Sequence, residues 1–263
     1  SSDVCSSDLL MVCFLRPHNP WYVPEKWWDL YDREKIHLPP YKKDDLDDIP
    51  KAGLKNIKEE MPRTEWAIET DQWRDIVHSY LASITFVDHQ IGKVINALEE
   101  SDYSDNTIIV LWSDHGYKMG EKNSFQKASL WERSTHVPLL FAGHGVPEGQ
   151  SSDRVVSLLD IYPTLVEMSG LPSNSKNEGR SLVPLMKNPS AEWPYPSITG
   201  YGKDCYAIQN ERYRYIQYDD GTEELYDQQN DPNEWTNLAG RSDLAHTKAD
   251  LARHIPETNN VAR

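Results

Sequence analysis

Asp114 and His115 have the side-chain types and the position that a metal-assisted reaction needs. They follow the apolar run at 107–112 (TIIVLW) after Ser113, and Gly116 comes next, where the lack of a side chain lets another backbone approach closely. A carboxylate and an imidazole are ligands that divalent cations take in proteins. In open α/β sheets, ligands bind at the C-terminal ends of strands. The pair therefore predicts a metal site, although a turn-capping aspartate beside an ordinary loop histidine fits the same positions equally well.

Lys127 and His18 are the two further candidates. Lys127 lies twelve residues beyond His115 in a polar loop, and its compact positive charge suits a tetrahedral oxyanion. His18 follows the apolar run at 10–15 (LMVCFL), which we expect to be a strand. If that strand runs parallel to 107–112, His18 lies at the same sheet edge and can donate a proton to a leaving group. Taken alone, each has an ordinary alternative as a surface lysine or a loop histidine.

Helices and buried strands must hold these residues in place. The segment 71–100 repeats apolar residues at three- and four-residue steps, which predicts a long amphipathic helix, and 160–168 predicts a shorter one. The continuous apolar runs at 10–15, 107–112 and 137–142 predict strands that are buried on both faces. Strands and helices in alternation predict an α/β fold in which a mostly parallel sheet is flanked by helices.

The sequence pattern changes after about Pro172, where short tyrosine-rich segments begin. Strands are expected at 197–203, 205–209 and 213–218. A helix is expected near 245–254, so this part predicts a small antiparallel sheet with a helix packed on it. We therefore expect an α/β domain over 10–172 and a small C-terminal α+β subdomain over 173–263.

Composition excludes several classes of function. A formal net charge of −15 and a pI near 5.0 argue against nucleic-acid binding, and no apolar stretch has the ~18 residues of a membrane span. The charged run at 42–48 (KKDDLDD) predicts a solvated loop. Cys5, Cys13 and Cys205 have neither the spacing of a zinc site nor that of a disulfide framework. Residues 1–9 (SSDVCSSDL) are expected to be foreign to the protein.

Four ordered motifs resemble the sulfatase family of the alkaline phosphatase superfamily, particularly the branch that contains iduronate-2-sulfatase. They are FLRPHNPW, IIVLWSDHGYKMGEK with the following QKASLWERSTHVPLLFAG, SLLDIYPTLVEMSGLP and EELYDQQNDPNEWTNLA. The likeness extends from about Leu10 to His254. It implies hydrolysis of the sulfate ester of a small molecule or glycan, by a protein that is exported.

The resemblance also implies roles for the candidate residues. Asp114 and His115 match the second pair of calcium ligands, Lys127 matches a lysine that contacts sulfate, and His18 matches a histidine close to the scissile ester. Family members use a formylglycine made within a Cys/Ser-x-Pro-x-Arg motif, and no cysteine of this sequence has that context. We therefore expect a C-terminal fragment that lacks the nucleophile and two metal carboxylates, binds Ca²⁺ weakly and is inactive alone.

Other functions remain open at this point. A metal-dependent phosphatase or phosphodiesterase of the same superfamily shares the Asp-His-Gly metal chemistry, and the full-length parent could be an inactive family member. A non-catalytic carbohydrate-binding protein would use aromatic side chains as stacking platforms, the candidates being Trp21, Tyr22, Trp27 and Trp28. Uronate, algal-polysaccharide and choline sulfates are all open as substrates, because specificity lies in loops such as 19–64 and 118–130. The oligomeric state is also open.

Overall fold

The computed structural model describes residues 9–55, 57 and 62–257. Contacts divide the chain into two compact units, Ser1–Leu38 with Ile68–Ser104, and Pro39–Ala67 with Asp105–Arg263. The predicted domains 10–172 and 173–263 stay a prediction. So does the foreign origin of residues 1–9, which lie almost wholly outside the described residues.

The described part of the chain contains helices, strands and a few short 3-10 turns. The helices are α1 (Glu25–Trp28), α2 (Lys51–Leu54), α3 (Thr64–Glu69), α4 (Trp73–Glu99), α5 (Glu132–Thr135), α6 (Ile161–Met168), α7 (Val183–Lys187) and α8 (Ala245–Ala252). The strands are β1 (Ile108–Trp112), β2 (Leu139–Gly143), β3 (Ser197–Gly200), β4 (Tyr206–Gln209), β5 (Tyr213–Gln217) and β6 (Glu223–Asp227). The helices predicted at 71–100, 160–168 and 245–254 are thereby confirmed as α4, α6 and α8. None of the described helices has the length and apolar character that crossing a bilayer requires.

The first unit is built on α4, the long amphipathic helix. The ring of Trp28 in α1 stacks on His78 of α4 at a centroid distance of 3.7 Å, and Trp27 lies 4.8 Å from His89. Arg33 donates to the Asp75 carboxylate at 2.7 Å and thereby ties the chain after α1 to the first turn of α4. The carbohydrate-binding alternative needs aromatic faces that are open to a ligand. The rings of Trp27 and Trp28 instead pack against histidines of α4.

The apolar run at 10–15 is not a strand, so this prediction is wrong. No described segment pairs with it, and Leu10, Met11 and Leu15 are exposed. A strand exists only when its backbone N–H and C=O groups find a partner strand. An apolar run by itself cannot supply that partner.

The strands predicted at 107–112 and 137–142 are confirmed as β1 and β2, but they pair in the opposite sense to the parallel arrangement expected. β1 and β2 are antiparallel, with Ile108 opposite Gly143 and Trp112 opposite Leu139. A parallel pair needs a crossover connection, usually through a helix that packs on the sheet. Here the chain returns through a hydrogen-bonded loop and the single-turn helix α5.

The small C-terminal sheet is an antiparallel meander in the order β3-β4-β5-β6. Alternate residues point to opposite faces, and both faces are covered. One face packs against Leu251 of α8 through Tyr206, Ile208, Tyr215 and Leu225. The other face packs against Ile49, Ile57, Leu130 and Trp131 through Ala207, Ile216 and Tyr226. The predicted antiparallel sheet with a packed helix is confirmed, with the first strand ending at Gly200 rather than 203.

Truncating Leu225 to alanine is expected to lower the free energy of unfolding by about 2–5 kcal/mol, because the side chain is 0% exposed between the sheet and α8. Leu159→Ala is the matched control, since Leu159 is 58% exposed and its loss should cost less than about 0.5 kcal/mol. Urea unfolding followed by tryptophan fluorescence measures both. Equal destabilisation by the two variants would contradict the packing of Leu225 between the C-terminal sheet and α8.

Candidate functional site

Asp114 and His115 form a closely spaced acid and imidazole pair just beyond β1. The Asp114 carboxylate is 77% exposed, and its Oδ2 lies 3.5 Å from Nε2 of His115. Nδ1 of His115 is 2.8 Å from the carbonyl oxygen of Gly116. Because a carbonyl oxygen can only accept, Nδ1 carries the proton in the neutral ring, and the lone pair lies on Nε2, on the side of the carboxylate.

This arrangement fits part of a metal coordination shell. Metal-binding histidines commonly donate their second ring N–H to a backbone carbonyl, as His115 does here. Two neighbouring ligands that each lie about 2.3–2.5 Å from a cation are roughly 3.3–3.5 Å apart, close to the separation observed. In the described parts of the chain, no group of three or more His, Cys, Asp and Glu side chains is placed to hold a metal. Asp114 and His115 therefore fit as two ligands of a larger set, and the metal site stays a prediction.

Gly116 lets the backbone of the next segment approach this pair. Its N–H donates to the carbonyl of Ser134 at 2.8 Å. A Cβ at position 116 would lie only 2.2 Å from the backbone oxygen of Arg133 and 3.0 Å from that of His136. The close approach predicted for this glycine is confirmed. It fixes the turn that carries Asp114 and His115 against the segment that leads into β2.

Lys127 lies on the loop that returns toward this turn. The N–H of Lys118 donates to the carbonyl of Gln126, and that of Gly120 to the carbonyl of Ser124, so the two arms of the loop run antiparallel. This register places Lys127 opposite Tyr117, two residues beyond His115. Lys127 is half-buried. The backbone pairing thus brings it to the same end of the loop as the Asp114–His115 pair, and its contact with a sulfate group stays a prediction.

A buried cation supports the tip of this loop. Lys122 has a left-handed backbone (φ 54°), and its ammonium donates to Asp45 at 2.7 Å and to the carbonyl oxygen of Glu234. Both charged side chains are almost fully buried. Asp45 belongs to the charged run KKDDLDD, which was predicted to be a solvated loop. At Asp45 this prediction is wrong, because the side chain is buried. Its partner lies 77 residues away, so no local signal could have revealed the pair.

A second buried network holds the segment after Lys127. Arg214 of β5 pairs with the carboxylates of Glu132 and Glu234, while the backbone N–H of Glu132 donates to Glu234 at 2.9 Å. Beside it, the Glu224 carboxylate accepts hydrogen bonds from Trp131 Nε1 at 2.8 Å and from the hydroxyls of Tyr218 and Tyr226. Burial raises the pKa of Glu224 even though these donors oppose the shift. The loop with Lys127 is thus anchored to the C-terminal sheet.

His18 belongs to the first unit. Its Nδ1 donates to the carbonyl oxygen of Asn19 at 2.6 Å, its backbone N–H donates to Leu15, and its carbonyl accepts from Arg16. The strand at 10–15 that was expected to bring His18 to a sheet edge is absent. Asp114, His115 and Lys127 belong to the second unit, so the meeting of His18 with them stays a prediction.

Gly116→Ala is expected to destabilise the protein by about 1–3 kcal/mol, because the new methyl group would overlap backbone that cannot rotate away. Gly240→Ala is the control, since nothing lies within 4 Å of a Cβ there. Thermal unfolding of the two variants measures the difference. If both behaved alike, the close approach at position 116 would be contradicted.

Glu132 is expected to make the fold sensitive to acid. Burial favours the neutral form, but the hydrogen bond from His136 and the charge of Arg214 outweigh it and lower the pKa of Glu132 to about 2, from 4.5 in the unfolded chain. Ionised Glu132 therefore stabilises the fold above pH 4.5, and this contribution is lost as the pH falls from 4.5 toward 2. Urea unfolding at neutral pH and near pH 3 should show a smaller acid-induced loss for Glu132→Gln than for the wild type. The exposed Glu148→Gln should keep the wild-type loss, and an unchanged loss in Glu132→Gln would overturn the assignment.

Comparison with protein families covers nearly the whole chain. The model described as Sulfatase matches residues 6–171, and the model described as N-sulphoglucosamine sulphohydrolase, C-terminal, matches residues 120–260. A sulfatase of Formosa agariphila is 51% identical over 252 residues, which are 95% of this chain and 50% of that protein. Arylsulfatase K of Canis lupus familiaris is 36% identical over 175 residues, 61% of this chain and 33% of the relative. The choline-sulfatase of Rhizobium meliloti is 29% identical over 248 residues, 88% and 46% of the two chains.

Solved structures show the same fold. One, determined in complex with its substrate D-glucosamine-2-N,6-O-disulfate, has a TM-score of 0.63 and 27% identity over 76% of this chain and 43% of that one. The phosphonate monoester hydrolase of Agrobacterium radiobacter has a TM-score of 0.76 and 25% identity over 91% and 54%. The α/β fold with a small C-terminal antiparallel sheet is confirmed. The chain spans about half the length of these relatives or less, and it belongs to the sulfatase family.

Proposed function

We propose that this protein hydrolyses sulfate esters of a carbohydrate, with Asp114 and His115 as two of the ligands of a catalytic divalent cation. The observation that carries the proposal is the pairing of the Asp114 carboxylate with the unprotonated face of His115, 3.5 Å apart. Membership of the sulfatase family, whose motifs include this Asp-His-Gly turn, supports it. We infer Ca²⁺ as the cation from the resemblance of these motifs.

The side chains of this chain would act by binding and by electrostatics. A bound divalent cation supplies a Lewis acid that stabilises negative charge on sulfate oxygens. Lys127 would add a fixed positive charge for the same oxygens, in a loop that the buried pairs of Lys122 and Arg214 hold in place. His18 would donate a proton to the departing oxygen. A local cluster of this kind lets a protein with a net charge of −15 bind an anion.

The nucleophile is not assigned to this chain. Cys13 is followed by Phe-Leu-Arg-Pro and Cys205 by Tyr-Ala-Ile-Gln, so neither has the Pro and Arg spacing of the formylglycine motif. The chain also covers about half of its relatives. Dependence on formylglycine therefore rests on the family likeness, as does export.

A sulfated carbohydrate is the substrate class that the relatives favour. One solved relative binds a disulfated glucosamine as its substrate, and another is described as a 2-O glycosaminoglycan sulfatase. The choline-sulfatase likeness extends over 88% of the chain at lower identity. Kinship with the iduronate-2-sulfatase branch stays a prediction from the motifs.

Hydrolysis of phosphonate or phosphate esters is the second candidate. The specific observation in its favour is the TM-score of 0.76 with a phosphonate monoester hydrolase that covers 91% of this chain. Both reactions need a cation and positive charge around a tetrahedral anion, so the Asp114–His115 pair alone does not separate them. The relative kcat/KM of the full-length protein for an aryl sulfate and for a phenyl phosphonate ester separates them.

Asp114→Asn and Lys127→Met in the full-length protein are each expected to lower kcat/KM for 4-methylumbelliferyl sulfate at least about 100-fold, because each removes charge that stabilises developing oxyanions. Lys203→Met, in an exposed turn, is the matched control and should retain activity. Chelation should abolish turnover, and Ca²⁺ should restore it in the wild type but poorly in Asp114→Asn.

Two results would overturn parts of this proposal. Wild-type activity in Lys127→Met would remove Lys127 from the site. A wild-type protein that turns over phenyl phosphonate far faster than every sulfate ester would establish the second candidate instead.

A further inference from the structure

The second unit contains a surface cavity of about 620 Å³ beside the turn that joins β4 to β5. Its walls come from three segments of this unit, 154–155, 190–195 and 210–213. The volume lies within the ~300–1,000 Å³ that is usual for small-ligand sites. The cavity shares no residue with Asp114, His115 or Lys127, so the proposed reaction does not account for it.

Arg154 joins the three walls before any ligand binds. Its guanidinium donates to the backbone oxygens of Ser190 and Ala191, each at 3.0 Å, and to the carboxylate of Glu211 in the β4–β5 turn. Walls that are already tied together lose little conformational freedom when a ligand enters. The cavity is therefore organised in advance for binding.

Asn210 and Glu192 offer hydrogen bonds to a ligand. Oδ1 of Asn210 accepts the backbone N–H groups of Arg212 at 2.9 Å and of Tyr213 at 2.7 Å. The turn thus uses the oxygen of this amide and leaves the two donors on Nδ2, which have no partner among the described residues. Glu192 is exposed, and no described group donates to its carboxylate. A donor and an acceptor are therefore both available to hydroxyl groups.

Two fixed aromatic rings form a corner of the cavity. The rings of Trp193 and Tyr195 meet edge to face, with centroids 5.3 Å apart and planes at 84°. The Arg180 guanidinium lies 3.9 Å from the centroid of the Tyr195 ring and holds it in place, although Tyr195 is 40% exposed. Fixed rings beside hydrogen-bonding groups suit a pyranose, which has an apolar face and a rim of hydroxyls.

Charge disfavours an anionic ligand in this cavity. Each lining arginine is paired with a carboxylate, Arg154 with Glu211 and Arg212 with Asp227. Glu192 therefore leaves a negative charge on the wall that no described cation compensates. Because like charges repel, a sulfated sugar or a uronic acid fits less well than an uncharged sugar.

We propose that this cavity is a binding site for a neutral sugar residue of a glycan, in addition to the site where a sulfate ester would react. It would hold a glycan through a residue that carries no sulfate. The inference goes beyond the proposed function and does not depend on it, because binding here requires neither the cation nor turnover.

Saturation-transfer NMR on the full-length protein tests the site, with the β-1,4-linked hexasaccharides of glucose, galactose and mannose as neutral probes. At least one should bind, and more tightly than hexagalacturonate, which carries carboxylates. Tyr195→Ala should raise its Kd about tenfold through the loss of one ring contact. Tyr201→Ala is the matched control, since Tyr201 is 41% exposed and does not line the cavity.

A second variant keeps the test decisive if Tyr195→Ala does not fold. Glu192→Ala removes an exposed side chain without a described partner, so it should keep the wild-type thermal unfolding and still raise the Kd about tenfold, through the loss of a charge-assisted hydrogen bond. A wild-type Kd in Glu192→Ala would remove the cavity from binding.

The remaining outcomes separate this site from the sulfate site. Binding that persists in Lys127→Met and in the presence of inorganic sulfate would support the cavity, even if the protein turned over no sulfate ester. Displacement of the neutral hexasaccharide by sulfate would overturn the proposal. So would a wild type that binds none of the three probes, a preference for hexagalacturonate, or equal effects of Tyr195→Ala and Tyr201→Ala.

Discussion

Two buried cations, Lys122 and Arg214, hold the loop of the candidate site on the C-terminal sheet. Their partners are the carboxylates of Asp45, Glu132 and Glu234 together with backbone oxygens. A buried charge that loses its partner costs about 3–5 kcal/mol, so these groups must stay together for the second unit to fold. This requirement ties the chain between β1 and β2 to the C-terminal sheet.

The same network connects the small C-terminal sheet, which carries none of the candidate site residues, to the loop of the candidate site. Its inner face receives Leu130 and Trp131, and Glu224 of β6 accepts the indole N–H of Trp131. These residues follow Lys127 by three and four positions along the chain. The sheet acts as a positioning device for the loop. Gly116 completes this arrangement, because its missing side chain lets the Asp114–His115 turn lie against the backbone of Arg133.

The first unit uses a different principle, the packing of aromatic rings on a single long helix. Trp21, Trp27 and Trp28 are held by rings of α4, and Arg16 closes the turn that precedes them. Trp21 and Trp28 also line an open surface cavity of about 710 Å³. Tyr22 lines the same cavity and is 80% exposed.

The sequence by itself determined the features that depend on near neighbours along the chain. The apolar steps of 71–100 specify α4 because side chains three and four residues apart share a face. The short tyrosine-rich segments that form β4 and β5 and the Asp-His-Gly turn after β1 are equally local. The motif likeness identified the family, and with it Asp114, His115, Lys127 and His18 as candidates.

Only the tertiary structure decided what depends on distant partners. The apolar run at 10–15 finds no strand to pair with, and β1 and β2 run antiparallel because the chain between them makes no crossover. The charged run predicts that Asp45 is solvated. Its carboxylate is instead buried, where it pairs with the ammonium of Lys122, 77 residues away. Hydrogen-bond and charge partners of this kind carry no local signal, because the pairing energy arises only when the folded backbone brings the two segments together.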